Sequence, residues 1–517
     1  MSRTENSTKN VISGFICQIT VILVGFVVRT VFIRTLGEQF LGINGLFSNF
    51  ISMLSLTELG IGTSITYKLY KPLADKDTDS ICKYMNLYRV LYRIIGVVML
   101  VLGVLMMPII PHMIKDDTSF FNVYAVFAIY LLQSVSTYLL FAYKSALVKA
   151  DQKSYIVTNI TMAVYIVEYI LQIIVLVLFK NFYAYIAIVV IGNVVINLIV
   201  SVFVDRRYSY LKKDKKTYPE KSDIKDMFKD CYALSLYKVN GVVLKSVDNI
   251  VLSKYIGLAI VGLYSNYLMV YNHLKELVAS FYNGIISSLG NLYAEGEKEK
   301  TVNVFNQVNY ITFILFGILS VGIYAVINPF MKLWIGEKYL LSESFVIMFA
   351  LEFYIYGILK SISTFRTSMG LFQQGKYRPL LGTVINIALS ILLVRKYGIS
   401  GVLFATLVAN ISTYFLIDSF IIFKKGFKTS ASLPKYFFTN IVNLIVITAS
   451  AITVKSIIGL FDNAWVEFFV GGVLSVVITF LFMFIVYFRQ KDFREAISRI
   501  TGIMSKVLRK LKRKKNS

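Results

Sequence analysis

The sequence predicts an all-α integral membrane protein that crosses the bilayer many times. Of its 517 residues, 56% are hydrophobic and only 16% are charged, whereas a soluble domain is typically about 45–50% apolar and about 25% charged. The mean hydropathy of +0.67 agrees with this. Aromatic residues make up 15% of the chain and only three cysteines occur, which excludes intrinsic disorder and a disulfide scaffold.

Fourteen apolar stretches are long enough to span a bilayer as helices, for which about 20 mostly apolar residues are needed. We place them near residues 11–33, 40–67, 94–110, 122–143, 155–179, 183–204, 231–253, 258–284, 307–329, 342–365, 379–394, 400–423, 437–457 and 464–488. The first is predicted to be a retained helix rather than a cleaved signal peptide, because it contains Arg29 and no small-residue cleavage site follows it.

The distribution of Lys and Arg supports this count and orients the chain. With both termini placed in the cytoplasm, the inward loops and tails carry 40 of these residues and the outward loops carry nine. Cytoplasmic loops are enriched in Lys and Arg, and a missed or extra helix would scramble the pattern downstream. Topology therefore explains the net charge of +25, which does not indicate binding to nucleic acid.

The longest inward loop divides the predicted helices into groups. This basic stretch, 205–230, is predicted to link an N-lobe of helices 1–6, residues 1–204, to a C-lobe of helices 7–12, residues 231–430. Residues 431–488 supply helices 13 and 14. The remaining tail, 489–517, is predicted to form a basic amphipathic cytoplasmic helix suited to anionic inner-leaflet lipids, or alternatively a short coiled coil. Its apolar face comprises Phe493, Ile497, Ile500, Met504, Val507 and Leu511.

A weak internal repeat relates the two lobes. The segment GLFSNF at residues 45–50 begins helix 2, and GLYSNY at residues 262–267 begins helix 8. Both copies start at an outward turn and run inward, so the repeat is parallel. The sequence therefore predicts two six-helix lobes related by an axis along the membrane normal, with two helices appended, which is a transporter architecture.

Several of these segments resemble a known family. FLGINGLF at residues 40–47 and LTELGIG at 56–62 resemble the start of bacterial polysaccharide transporters, as do VDNI at 247–250 and VGLYSNY at 261–267. Over essentially its whole length the chain is similar to the O-antigen and capsule flippases. These form part of the multidrug/oligosaccharidyl-lipid/polysaccharide (MOP) superfamily.

The resemblance implies a function and a location. Such a protein flips an undecaprenyl-diphosphate-linked oligosaccharide from the inner to the outer leaflet of the bacterial plasma membrane by alternating access. The resemblance also implies coupling to an ion gradient, with Na⁺ or H⁺ as the coupling ion, and no other cofactor. Its expected partners are the lipid-linked oligosaccharide and the glycosyltransferases or polymerase of the same pathway.

Two other functions are alternatives to export of polysaccharide. A drug or small-cation antiporter of the same superfamily would favour an acidic cavity, whereas five Lys and Arg lie within the predicted spans. A membrane glycosyltransferase or polymerase would need a large outer loop with acidic catalytic residues, and the longest predicted outer loop, near 330–341, has about twelve residues. The sequence therefore predicts a protein with no catalytic residues, and the three cysteines lack metal-ligand spacing.

Helix 7 carries the clearest group of charges within the membrane. Lys238, Lys245 and Asp248 share one helical face, and Asn249 lies beside it. Because intramembrane charges usually face a watery cavity, we interpret this face as a cavity lining that meets a diphosphate or acidic sugar, with Asp248 restraining Lys245. The alternative is a buried ion pair that fixes helix packing.

Helix 2 has a second polar face. Asn44, Ser48, Ser52, Ser55 and Glu58 recur at helical spacing. We interpret this face as cavity lining, with Glu58 as a candidate ion-coupling group or a partner for Arg29 in the neighbouring helix 1. The alternative is close packing between helices, which the serines alone would satisfy.

The remaining charged candidates are isolated. Arg29 in helix 1 can grip two phosphate oxygens, or it can extend to the outer interface. Glu168 in helix 5 is mid-membrane without an obvious local partner and is a second ion-coupling candidate beside Glu58. Lys275 and Lys360, toward the inner ends of helices 8 and 10, are weaker candidates that could equally extend to the interface.

The charge asymmetry predicts the topology directly. A reporter fused after Ser517, or inserted within residues 210–220, is expected to report a cytoplasmic location, and one inserted near Lys338 an external location. Paired alkaline phosphatase and fluorescent-protein fusions measure this. Reversed signals at the first two sites would contradict the whole helix assignment.

Overall fold

The computed structural model describes residues 3–58, 60–116, 121–212, 217–371, 374–375, 377–428 and 432–502. All regular secondary structure in these residues is helical, as the sequence predicts. The chain divides into two compact units, Met1–Ser265 and Asn266–Ser517, and the division falls within a long helix.

The first unit is built from nine helices and the start of a tenth. They are α1 Arg3–Leu36, α2 Glu38–Leu54, α3 Ile61–Asp75, α4 Thr78–Met106, α5 Val123–Leu139, α6 Tyr143–Ala150, α7 Ser154–Leu178, α8 Phe182–Arg207, α9 Lys221–Tyr255 and α10 Leu258–Ala294. Helix α1 packs along α7, α7 along α8, and α2 along α9.

The second unit contains the rest of α10 and six further helices. They are α11 Lys298–Trp334, α12 Glu343–Ser368, α13 Arg378–Ala409, α14 Leu416–Ile421, α15 Leu433–Ile458 and α16 Ala464–Tyr487. Helix α11 is central, because it packs against α12, α15 and α16.

Ten helices among the described residues are long and apolar enough to cross a membrane, or eleven if the bent pair α5 and α6 forms one span. The chain is therefore a multi-pass membrane protein, while the predicted count of fourteen spans is not confirmed. The lower count has two sources. One 50-residue stretch, Arg378–Phe427, contains two predicted segments that bend at Gly398, whose φ is 58°. Helices α9 and α10 are long but are not among the ten.

The predicted second segment, residues 40–67, is not one helix. Helix α2 ends at Leu54, a short 3₁₀ turn covers Ser55–Glu58, and α3 begins at Ile61. Gly60 has a left-handed backbone with φ of 81°, which glycine adopts at little cost. The sequence did not reveal this break, because Ser55 and Glu58 continue the helical spacing of the polar face that begins at Asn44.

Short polar side chains define where many of the helices begin. The side chains of Asp77, Asn122, Asn181, Ser342 and Ser432 each accept a hydrogen bond from a backbone N–H in the first turn of α4, α5, α8, α12 and α15. Such caps satisfy donors that a helix leaves unpaired. They matter more in a membrane protein, since the hydrocarbon core offers no water to replace them.

Two glycines allow α2 and α10 to cross in close contact. A Cβ atom built on Gly42 would lie 1.9 Å from the carbonyl oxygen of Leu258. One built on Gly262 would lie 2.1 Å from the carbonyl oxygen of Glu38. The two backbones are therefore in direct contact, as small residues permit between membrane helices.

A polar network joins α6 to α8 at one end of the first unit. The Lys144 ammonium lies 2.6 Å from Asp205 Oδ1 and donates to the Ser201 hydroxyl at 2.8 Å. Nearby, the Tyr208 hydroxyl donates to Asp151 at 2.7 Å. Burial, followed by the hydrogen bond to Asp151, raises the pKa of Tyr208, so this phenol stays protonated and keeps donating.

A buried charge cluster holds three helices of the second unit together. The carboxylate of Asp418 on α14 pairs with Arg378 of α13 and lies 3.5 Å from Nε of Arg366 on α12. All three side chains are at most 5% exposed. Helix α14 is flanked by two π-helical segments, Asn410–Phe415 and Ile422–Phe427. Such segments often mark functional or constrained sites.

The predicted tail helix is described only in part. Residues 491–502 are helical. Phe493 is fully buried and packs its ring against Tyr310 and Tyr487. The start of the tail therefore docks on the second unit. Met504, Val507 and Leu511 lie outside the described residues, so the predicted contact with anionic lipid stays a prediction.

The charge cluster around Asp418 is expected to be important for stability. Asp418→Asn removes the anion between two buried guanidinium groups, and breaking a buried pair costs about 3–5 kcal/mol. Thermal unfolding of the purified protein in detergent should shift down strongly. Asp462→Asn, the same change at an exposed position, serves as the control. An equal, small shift in both variants would contradict a structural role for the cluster.

Candidate functional site

Arg29 lies in a polar cluster within the first unit. It is half-buried in a candidate membrane span, Ile12–Leu36, and its guanidinium donates to the hydroxyl of Ser265 on α10. The phenols of Tyr130 on α5 and Tyr185 on α8 are close enough to interact electrostatically with it. Four helices thus place a cation and three hydroxyl groups together inside the membrane region.

The polar face of α2 extends from this cluster. The Tyr130 hydroxyl donates to Asn44 Oδ1 at 2.6 Å, and the Ser48 hydroxyl donates to the same oxygen at 3.4 Å. Ser48 and Ser52 are exposed. Tyr130 thus links Asn44 and Ser48 of α2 to Arg29 of α1, whereas their role in binding substrate stays a prediction.

Glu58 has a different setting from the rest of the predicted polar face. Because α2 ends at Leu54, Glu58 lies in the following turn and its Oε1 accepts from the backbone N–H of Gly62 at 2.8 Å. It thereby caps the first turn of α3. Its carboxylate lines a cleft with the phenols of Tyr88 and Tyr92.

Helix 7 of the prediction corresponds to α9. Asp248 and Asn249 are buried there, 7% and 5% exposed, and the neighbouring Ser246 donates to the backbone oxygen of Asn49 on α2 at 3.3 Å. The side chains of Lys238 and Lys245 lie outside the described residues. The predicted lysine stripe and its pairing with Asp248 therefore stay predictions.

Glu168 is buried between α7 and α8. Its Oε1 accepts from Gln172 one turn along the same helix at 3.3 Å. Its other oxygen faces Gly192, where a Cβ atom would lie 2.4 Å from it. The surroundings are otherwise apolar and form a groove of about 340 Å³. The local partner that the sequence does not reveal is thus Gln172.

Lys275 is part of a cluster in the second unit. Its ammonium lies 3.8 Å from the ring centroid of Tyr356 and 4.5 Å from that of Tyr271, and the Tyr271 hydroxyl donates to Glu352. Cation–π contacts of this kind hold a cation at a defined place. Lys360, the other weak candidate, is half-buried on α12.

Sequence reasoning missed several charged residues. Glu352 and Asp418 are carboxylates inside predicted spans. Arg366 and Arg378 lie just outside the predicted spans 342–365 and 379–394, which suggested loop positions, yet both side chains are buried. An inventory of acidic residues within the apolar segments would have identified the first two. Among the described residues, no group of three His, Cys, Asp or Glu side chains is arranged to hold a metal ion.

Comparison with protein families decides the classification. Residues 7–286, more than half of the chain, match the family described as polysaccharide biosynthesis protein. The chain belongs to this family. The match confirms the resemblance seen in the sequence. Comparison with curated proteins gave no match.

Solved structures show the fold of this polysaccharide biosynthesis protein. The lipid II flippase MurJ in an inward closed conformation superposes with a TM-score of 0.63 at 17% identity, covering 92% of this chain and 98% of that one. An inward-facing multidrug resistance MATE family transporter of the MOP superfamily gives 0.57 at 14% identity, covering 83% and 95%. The Vibrio cholerae MATE transporter VcmN, as a mutant, gives 0.54 at 13% identity, covering 82% and 99%.

The exposed polar face of α2 predicts access of water within the membrane region. In a background with Cys17, Cys82 and Cys231 replaced by Ser, Ser48→Cys and Ser52→Cys should react with a hydrophilic methanethiosulfonate, because the reactive thiolate needs water. Leu23→Cys is the control, since Leu23 is 63% exposed on an apolar stretch of α1. Equal rates at all three positions would contradict a hydrated face.

Proposed function

We propose that this polysaccharide biosynthesis protein is a flippase for an undecaprenyl-diphosphate-linked oligosaccharide. It transfers the lipid from the inner to the outer leaflet of the bacterial plasma membrane by alternating access, so that surface polysaccharide can be assembled outside. The family assignment and the shared fold with a lipid II flippase support this proposal. The protein catalyses no covalent chemistry in this proposal.

The observation that carries the proposal is the position of Arg29. A charged side chain inside a membrane span costs at least about 2.5 kcal/mol on insertion scales, so its retention indicates a function. Here the guanidinium lies among the hydroxyl groups of Ser265, Tyr130 and Tyr185. Hydroxyl groups can donate hydrogen bonds to an anionic oxygen, and they carry no negative charge that would neutralise the guanidinium.

A diphosphate fits this arrangement better than other ligands do. A guanidinium presents parallel N–H groups that match two phosphate oxygens. Tyr130 and Ser265 would exchange their present hydrogen bonds, to Asn44 Oδ1 and to the backbone oxygen of Gly262, for bonds to the remaining oxygens. The exposed Ser48 and Ser52 continue the polar surface along α2. The proposed substrate path also includes four residues of α9: Lys238, Lys245, Asp248 and Asn249.

Ion coupling is assigned to carboxylates. Glu58 and Glu168 are the candidates in the first unit, for H⁺ or Na⁺. Glu168 is the more enclosed, because it is 6% exposed in an apolar groove. Glu58 already accepts a backbone hydrogen bond from Gly62.

A drug antiporter is the second candidate, favoured by the fold shared with MATE family transporters. A cationic drug would need an anionic site, and Arg29 at the polar cluster of the first unit opposes that. Cytoplasmic termini, contact with anionic inner-leaflet lipids and association with glycosyltransferases or a polymerase belong to the proposal as further expectations.

Neutralising Arg29 tests the proposal. Arg29→Gln should reduce export of surface polysaccharide about ten- to hundredfold in cells lacking the native gene, since a hydrogen bond to a charged group contributes about 1.5–3 kcal/mol. Arg29→Lys keeps the charge but loses the paired donors, so it should be intermediate. Arg34→Gln is the matched control, because Arg34 is exposed one to two turns away on the same helix.

Membrane abundance is measured in parallel by immunoblotting. Normal export by Arg29→Gln at normal abundance would remove Arg29 from the substrate path. Resistance to cationic dyes that depends on the protein, with no effect on polysaccharide, would favour the antiporter.

A further inference from the structure

A cleft in the first unit shares no lining residue with the Arg29 cluster and combines aromatic rings with polar groups. It measures about 420 Å³ and is bounded by the turn Ser55–Glu58 and by helices α3, α4 and α6. Ligand pockets typically measure about 300–1,000 Å³. The charge distribution of the sequence assigns this end of the helices to the cytoplasm, where a lipid-linked saccharide would be presented to a flippase.

Three polar atoms converge on one point of its wall. A Cβ atom built on Gly62 would lie 2.7 Å from the Tyr88 hydroxyl, 2.8 Å from Glu58 Oε1 and 3.3 Å from the Tyr92 hydroxyl. Tyr88 donates to Tyr92 at 2.8 Å. The glycine therefore leaves space for a carboxylate and two phenols to be gathered within a few ångströms.

Exposed aromatic rings supply an apolar surface beside these polar groups. Tyr67 and Tyr70 on α3 are 71% and 48% exposed, and their rings stand nearly perpendicular with centroids 6.1 Å apart. The negative face of an aromatic ring attracts the slightly positive C–H groups of a sugar ring. Lys149 of α6, also exposed, lines the same cleft.

The charges of the lining limit the class of ligand. Among the lining residues that the structure describes, Glu58 and Lys149 are the charged ones, and their formal charges balance. A diphosphate would need a net positive lining and a cationic drug a net negative one. Hydroxyl groups with apolar C–H faces suit a lining of phenols, one carboxylate and open aromatic rings.

We propose that this cleft binds a neutral sugar of the lipid-linked oligosaccharide, with one of the two perpendicular rings of Tyr67 and Tyr70 stacking on the sugar ring, the other contacting its edge, and Glu58 accepting from its hydroxyls. This deepens the proposed flippase function and rests on it for the identity of the ligand. In this proposal Arg29 binds the diphosphate and the cleft binds a sugar.

Saturation-transfer NMR on the full-length protein in detergent tests this with maltose, lactose and N,N′-diacetylchitobiose as probes. At least one disaccharide should receive magnetisation, and Tyr67→Ala and Tyr70→Ala should weaken its binding about tenfold, the effect of losing one stacking contact. Tyr124→Ala is the control, because Tyr124 is 51% exposed elsewhere in the same unit. Unchanged binding in both variants would mean that these tyrosines serve only as interfacial anchors, which overturns the proposal.

A second pair of variants acts on the wall of the cleft. Gly62→Ala places a methyl group where the three polar atoms converge and should weaken disaccharide binding, whereas Gly14→Ala, with nothing within 4 Å, should not. Thermal unfolding of each variant verifies that it is folded. Binding that survives in folded Gly62→Ala protein, or that is absent for all three probes, overturns the sugar site.

The outcomes separate this inference from the flippase proposal. Arg29→Gln should reduce export about ten- to hundredfold and leave disaccharide binding intact. If export depends on Arg29 but no disaccharide binds, the sugar site fails and the flippase stands. If disaccharides bind and Arg29→Gln exports normally, the cleft stands as a sugar site and the diphosphate assignment fails.

Discussion

The crossing of α2 and α10 at Gly42 and Gly262 is the constraint on which the polar cluster of the first unit depends. Each backbone lies against the other with no room for a methyl group. Ser265 lies one turn beyond Gly262, and this crossing brings its hydroxyl within reach of Arg29. A larger residue at either glycine would separate the helices, and the guanidinium would lose the Ser265 hydroxyl as a partner.

Polar chemistry inside this apolar protein is organised in two different ways. Around Asp418 the charges are packed tightly and almost fully buried, which suits a role in holding helices in place. Around Arg29 the partners shown are neutral hydroxyls and the neighbouring face of α2 is exposed. The first arrangement holds helices together through paired charges, and the second surrounds a cation with neutral groups that do not neutralise its charge. Burial alone would not separate them; the chemistry of the partners does.

The fold was largely predictable because hydropathy and loop charge are properties of the sequence alone. The break after Glu58 and the bend at Gly398 were not, since a glycine in a helical segment signals a left-handed backbone only once tertiary structure is known. Of the predicted site, Arg29, Asn44 and Ser48 do come together. Glu58 does not join them, because the turn that follows α2 redirects it. The interaction of Arg29 with Ser265 joins residues 236 apart, a proximity that no local spacing reveals.

The tyrosine-lined cleft shows why such a site escapes a search for charged residues. Its members come from four elements, and each tyrosine alone would pass as an interfacial aromatic residue. Their combination becomes recognisable only through Gly62, which lacks the atoms that would keep Glu58, Tyr88 and Tyr92 apart. Gly62, which has no side chain, therefore defines the polar wall of the cleft.

The two π-helical segments beside α14 determine where this helix can lose a residue. A π turn holds one residue more than the α-helical hydrogen-bond pattern requires. Loss of one residue within Asn410–Phe415 would let that stretch return to an α-helix, and because the widened turn already absorbs the extra residue, the helix on either side would keep its facing. Asp418 would still face Arg366 and Arg378. The same loss within Leu416–Ile421, where no widened turn can absorb it, would turn the residues beyond it by about 100°. Related chains should therefore tolerate single-residue gaps in the two π-helical segments better than in α14 between them, although all three stretches belong to one membrane helix.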